Sequence, residues 1–214
     1  STRIMPEGPE VRRDADRISK RLIGQELESI EFIYPPIQEF QPVVADSEIV
    51  SITTRGKAML TRFDCGLSLY SHNQLYGRWT VNRRSTELDW QRSLRVEFLT
   101  KKHAVRLWSA TDVEIIPSSQ ENNHPFISKL GPDVLDDSCT PEVIMEMLGE
   151  KRYRNRKASN LMLDQSFLAG LGNYLRSEIL HHSGVNPHAK PSELSVQKRR
   201  AWAEEAKRLC VMSY

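Results

Sequence analysis

The chain has little cysteine: Cys65, Cys139 and Cys210 are the only three in 214 residues, odd in number and far apart. That excludes a disulfide framework and fits a reducing compartment. No Cys-x-x-Cys or His-x-x-x-His spacing occurs, so no zinc site is legible. Long apolar runs are missing as well. The start has no apolar signal core, and nothing approaches the ~20 residues of a membrane-spanning helix. A one-sided charge is also lacking: 30 Lys and Arg against 28 Asp and Glu leave a net charge of +2, so any basic surface must be local. There is no internal repeat, no low-complexity segment and no Gly-x-Ser-x-Gly elbow. What remains has the composition of an ordinary water-soluble protein, expected in the cytoplasm and long enough for one large or two small domains.

The stretch with most chemistry is Met5-Pro6-Glu7-Gly8-Pro9-Glu10. If Met5 and the residues before it were removed, Pro6 would carry a free secondary amine. Such an amine titrates near ~8 and is partly neutral in the cell. Attack on a sugar aldehyde carbon would give a cationic iminium, an electron sink. Glu7 and Glu10 lie one helical turn apart beside it, where one carboxyl can donate a proton to a leaving oxygen. Read alone, the same residues also describe a loose terminus with proline opening a helix. Ser1 to Ile4 have no pattern and read as an expression remnant or an alternative start. From Pro9, the spacing of Val11, Ala15, Ile18 and Leu22 predicts an amphipathic helix that stops at Gly24.

From Gln25 to about Ile116 the pattern changes to short β-prone runs between turn residues, the spacing of a sandwich or barrel. Strands are predicted over 27–34, 49–54, 58–63, 67–71, 79–82, 94–99, 105–109 and 113–116, with breaks at Pro35-Pro36, Asp64-Cys65-Gly66 and Lys101-Lys102-His103. Arg55-Gly56-Lys57 puts a cation at a hairpin tip, where Lys57 would suit a phosphate or merely solubilise the turn. His72-Asn73-Gln74-Leu75-Tyr76-Gly77 offers an amide, an apolar wedge and an aromatic ring in succession. Those groups can fill the void left by an extruded base, although Leu75 and Tyr76 could equally run on into the core.

A polar, proline-containing connection lies between Pro117 and Ser138, and the remainder reads as helical. Thr140-Pro141-Glu142 is a helix opening, with Val143, Ile144, Met147 and Leu148 on its buried side. Lys151 to Lys157 carries five cations and no acid in seven residues, with Arg154 at its centre. A buried helix is expected over 161–169. Gly170-Leu171-Gly172-Asn173 then interrupts before Tyr174 to Leu180 resumes, a turn whose following helix start is a natural phosphate seat. Asn173 would cap that helix or bind phosphate itself. His181-His182 close it ahead of Gly184, and Leu194, Trp202, Ala206 and Leu209 suggest a last amphipathic helix.

The N-terminal hexapeptide, Arg55-Gly56-Lys57-Ala58, Leu69 to Gly77, His124-Pro125-Phe126, Gly131-Pro132-Asp133-Val134-Leu135 and Gly170 to Leu175, in this order, resemble the endonuclease VIII branch of the formamidopyrimidine-DNA glycosylase family. The resemblance implies an α+β fold. An N-terminal helix and β-sandwich occupy 5–120, a linker 121–137, and an all-helical helix-two-turn-helix domain 138–214. It implies Pro6 as nucleophile, Glu7 as general acid, Glu10 as a supporting acid and Lys57 as the active-site lysine. Gln74, Leu75 and Tyr76 would fill the void of the flipped base, Asn173 would hold phosphate, and Arg154 would add a backbone contact.

The activity implied is a bifunctional glycosylase and abasic-site lyase of base excision repair. It would act on oxidised pyrimidines in double-stranded DNA by β- and δ-elimination, as a monomer, with no catalytic cofactor and no membrane partner. A structural zinc is implied only in a longer form carrying the family's C-terminal four-cysteine finger, a segment this sequence does not contain. Two other readings stand beside this one: a DNA-binding form inactive because Pro6 is blocked, and a glycosylase for oxidised purines.

Overall fold

The computed structural model describes residues 5–88 and 91–214, so the expectation for Ser1 to Ile4 lies outside the described residues. Two compact units emerge. The first holds residues 5–6, then Val11–Thr54 and Ala58–Ile127; the second holds Glu7–Glu10, Arg55–Lys57 and Ser128–Tyr214.

In the first unit, period-two alternation produces two antiparallel four-stranded sheets. The strands are β1 (Leu27–Phe32), β2 (Ile49–Arg55), β3 (Ala58–Phe63), β4 (Leu67–His72), β5 (Arg78–Arg83), β6 (Leu94–Thr100), β7 (His103–Trp108) and β8 (Asp112–Pro117). One sheet runs β1-β6-β7-β5 and the other β2-β3-β4-β8. Their inner faces share one apolar core, where Phe63 on β3 meets Phe32 and Phe98 of the opposite sheet at ring distances of 6.3 and 6.2 Å. Burial of each such ring is a main source of stability in a sandwich. Helix α1 (Gly8–Leu22) supplies Val11, Ala15, Ile18 and Leu22 to the same core, all at most 2% exposed. Each large aliphatic side chain so buried contributes about 1.5–3 kcal/mol.

The outer face of the second sheet carries a smaller cluster. Ala58, Leu60 and Tyr70 lie under Ile127, with Phe126 packed against them. The connection after β8 is thus bound to the sheet rather than loose, and Arg62 fixes it by a bidentate bond to Glu121 at 2.8 Å. The strand run breaks at Pro35-Pro36 as expected, and the break is filled by a 3-10 helix, Pro35–Phe40, that continues into α2 (Gln41–Val44) and buries Ile37 and Val44. Proline is compatible with a first helical turn, where its missing N–H has no partner to lose.

The second unit contains α3 (Pro141–Gly149), α4 (Ala158–Leu161), α5 (Asn173–Ser183) and α6 (Val196–Ser213). Thr140 caps α3 through its hydroxyl, which accepts from Val143 N at 3.3 Å, and Ser195 caps α6 in the same way. Gly184 ends α5 in the left-handed conformation, with φ 68°. The helix expected over 161–169 is corrected: α4 ends at Leu161, although Leu161, Met162, Phe167, Leu168 and Ala169 are all fully buried. Asp164 turns the chain by accepting from Ser166 N at 2.9 Å. The backbone beyond bonds to the preceding loop, Gly131 N to Gln165 O and Ala169 N to Pro132 O, both at 2.9 Å. A short apolar run is compatible with helix or buried turn, and here local side-chain bonds to backbone decide for the turn.

Candidate active site

Glu7 is a charged residue only 3% exposed, at the mouth of α1. Its Oε1 accepts from Gly172 N at 2.5 Å and Leu175 N at 3.1 Å, the opening amides of α5. The helix start expected to seat a phosphate therefore holds a side-chain carboxyl on these two donors. Burial pushes the Glu7 pKa above its ordinary 4.5, against the pull of the Leu175 and Gly172 amides and of Lys57, with Glu10 adding a smaller upward push. Burial likewise holds Lys57 below its ordinary 10.5, and Glu7 draws it back up. A carboxyl raised above its ordinary pKa by burial thus lies near an ammonium lowered below its own by the same cause, and each charge partly offsets the other's shift.

The surroundings fix this pair. Glu10 accepts from Glu7 N at 3.3 Å, the return half of a capping box, so Glu10 acts on the backbone of the site while its side chain stays exposed. Lys57 sits on the hairpin tip after Gly56, whose φ of 58° is left-handed and whose N–H donates to Asp133 Oδ2 at 2.7 Å. The other carboxylate oxygen of Asp133 takes Leu135 N at 2.9 Å. Gln165 braces the two-glycine turn, accepting from Gly170 N at 3.0 Å and donating to Leu171 O at 2.9 Å. Gly8 N donates to Gly170 O at 2.7 Å, so close that a Cβ on Gly8 would lie 2.9 Å from Gly170 Cα. The roles of Asp133 and Gln165 went unread in the sequence. Asp after Gly-Pro signals a side-chain bond to nearby backbone, whereas nothing local marks Gln165.

Pro6, immediately before Glu7, is partly buried, and its ring nitrogen is bonded to Met5. Asn173 is exposed at the first position of α5, where Gly172 is the cap; its Oδ1 accepts from Arg176 at 3.1 Å, which corrects the capping expectation. Arg154 is exposed on a turn whose carbonyl accepts from Ser192 N at 2.9 Å. Two of its basic neighbours have carboxylate partners, Arg152 with Glu150 and Arg156 with Asp164.

In the sandwich unit, the β4–β5 loop presents Gln74, Leu75 and Tyr76 outward, with Leu75 37% and Tyr76 55% exposed. They do not run on into the core. Gln74 has φ 52°, and Gly77 N closes the loop on Asn73 O at 2.8 Å. A Cβ on Gly77 would come within 2.8 Å of Asn73, so this turn requires glycine. The turn thereby directs three large side chains away from the sheet.

This combination, a buried carboxyl at a helix start next to a hairpin lysine, lies in the second unit, and the sandwich and the helical module each match a known domain model. Residues 5–112 match the formamidopyrimidine-DNA glycosylase N-terminal domain, and residues 130–212 match the H2TH domain of the same family. The chain belongs to the formamidopyrimidine-DNA glycosylase family, whose members are DNA glycosylases with abasic-site lyase activity. Within it, the chain is 45% identical over 210 residues to endonuclease 8 of Klebsiella pneumoniae, and 44% identical to that of Escherichia coli; each alignment covers 98% of this chain and 80% of the relative. A similar solved structure is the formamidopyrimidine-DNA glycosylase of Lactococcus lactis bound to DNA containing an abasic site, with TM-score 0.81, 20% identity, and coverage of 97% of this chain and 81% of that one. The same enzyme bound to DNA with an oxidised pyrimidine gives TM-score 0.81 at 21% identity, covering 97% and 79%.

Proposed function

We propose that this chain removes oxidised pyrimidines from double-stranded DNA and then cleaves the strand at the abasic site. The observation that carries the reading is the buried Glu7 carboxyl, held on Gly172 N and Leu175 N with Lys57 beside it and directly following Pro6. With residues 1–5 removed, the Pro6 nitrogen attacks C1′ of the damaged nucleotide. Glu7 supplies a proton to the sugar ring oxygen as the C1′–base bond breaks, the base leaves with the bond pair and takes up the proton shed by the Pro6 nitrogen, and the ring opens to an iminium. That cation acidifies C2′, whose proton is lost as the 3′ phosphate leaves by β-elimination, and the conjugated iminium then acidifies C4′, whose proton is lost as the 5′ phosphate leaves by δ-elimination. Water finally releases Pro6. Lys57 holds a phosphate beside the lesion, and Asn173 and Arg154 hold the backbone further away.

Pyrimidine preference is supported by the exposed run Gln74-Leu75-Tyr76, a contiguous filler for the vacated stack, and by relatives named endonuclease 8. A second reading has its own observation: while Met5 is attached, the Pro6 nitrogen is an amide and cannot attack, so the untrimmed chain would bind damaged DNA without cutting it. Borohydride reduction on a thymine-glycol duplex and on an abasic duplex separates the two. A covalent adduct with the chain starting at Pro6, and none with the longer chain, supports the enzyme. Absence of an adduct from both leaves only the binding form. Faster cleavage of an oxidised-guanine duplex than of thymine glycol would overturn the pyrimidine assignment.

A further inference from the structure

The sandwich unit has a polar hollow that the chemistry above does not use. The last turn of α1, the end of β5 and the β6–β7 turn surround a cavity of about 580 Å³ lined by Arg21, Arg83, Arg84, Lys101 and Lys102, together with Ser85 and His103. Among the described residues, seven line it, five of them Arg or Lys and none acidic, in a chain whose net charge is only +2. The clustering is built by strand pairing. Arg83 is the direct β-partner of His103, and Arg84 N donates to Lys102 O at 3.0 Å. Arg84 is paired with Glu28. Arg21, Arg83, Lys101 and Lys102 have no ion pair among the described residues. Partial burial and the cations Arg21, Arg83 and Lys102 hold the His103 ring below its ordinary pKa of 6.5.

Like charges so placed repel unless an anion sits among them. The last-turn position of Arg21 suits the α1 dipole, but that accounts for one cation and not for the convergence of three elements. The lining also narrows the anion. Among the described lining residues none is a Leu, Ile, Val, Met, Phe, Tyr or Trp that would anchor a peptide side chain or take an acyl chain, whereas guanidinium forks and ammonium groups suit phosphate oxygens. Position separates this hollow from the wedge loop. β5 has six residues, so at ~3.4 Å each the hollow lies roughly 17 Å along the strand from Arg78, where that loop ends.

We propose that this hollow is a second phosphate-binding site, which takes the backbone of a DNA segment other than the one held at Glu7. The proposed function bears only on DNA as the source of the phosphate; the site itself stands on its lining. The test compares the wild-type chain starting at Pro6 with R83E/K101E/K102E, all three changes being at exposed positions. Inorganic tripolyphosphate binding is measured by calorimetry, affinity for a long undamaged duplex is measured across a salt series, and cleavage is measured on a short lesion duplex.

The expected result is loss of tripolyphosphate binding and a salt slope shallower by roughly two to three, at about 0.9 for each phosphate no longer neutralised. Cleavage of the short lesion duplex stays as in wild type. R83Q/K101Q/K102Q gives an intermediate loss, and K102E alone a smaller one should the triple reversal lower the melting temperature. Loss of tripolyphosphate binding with an unchanged DNA slope overturns DNA as the occupant in favour of a free polyphosphate. No change in either overturns the site. A wild-type chain that binds tripolyphosphate yet cleaves no lesion would sink the proposed function while leaving the hollow standing.

Discussion

Glu7 concentrates the chemistry because one carboxyl group meets opposing demands: burial favours its proton, while two amides and Lys57 favour its loss. Burial wins, so its folded pKa lies above the ordinary 4.5. The stability it contributes is therefore complete below that value and is lost as pH rises through the folded pKa. Lys57 runs the other way. Its folded pKa is depressed, so its contribution is present above 10.5 and is lost as pH falls through the folded value. In the proposed role of general acid Glu7 would work while protonated, so single-turnover base release should decline as pH rises through its raised pKa. Glu7→Gln should lower that rate by about 10²–10⁴ and flatten the profile; an unchanged rate would remove Glu7 from the reaction. Gly172→Ala provides a second probe without backbone strain, since φ is −135°. The new Cβ would lie 2.7 Å from Glu7 Cγ, so the variant should lose base release while its melting temperature, read by calorimetry, shifts only a few degrees.

The elements around this residue divide into those that hold and those that reach. The hairpin tip is held: Asp133→Ala removes the acceptor of Gly56 N and Leu135 N, leaving two amides unpaired, at a cost of about 1–3 kcal/mol in chemical denaturation. The position of Lys57 should loosen with it, so lyase activity should fall further than stability predicts, and Asp133→Asn should restore part of both. The β4–β5 loop reaches. Leu75→Ala and Tyr76→Ala remove exposed side chains, so stability should change by no more than ~0.5 kcal/mol. Excision from duplex DNA should drop, while excision from a single-stranded lesion, which leaves no stack to fill, is spared. Equal losses on both substrates would contradict the wedge role.

Over the whole chain, the β-sandwich was readable because inward and outward residues alternate and Gly, Pro and Asp punctuate the turns; all eight predicted strands are present, within two residues at each end. Phe63, which joins both sheets through Phe32 and Phe98, should cost about 3–5 kcal/mol when changed to alanine, measured by urea unfolding. The candidate site was legible as residue types but not as geometry. Pro6, Glu7 and Lys57 could be singled out, yet the bonds from Glu7 to Gly172 and Leu175 join residues more than 160 positions apart, which no local pattern encodes. The turn after Leu161 was missed because its apolar content is that of a helix, and the distinguishing bonds run from Asp164 and to Gly131 and Pro132. The most direct measurement is mass spectrometry of a borohydride-reduced complex formed by the chain starting at Pro6 on abasic DNA. A deoxyribose remnant on the Pro6 nitrogen is the predicted result. A remnant on Lys57 or any other lysine, or an equal yield from the chain that still carries Met5, would contradict it.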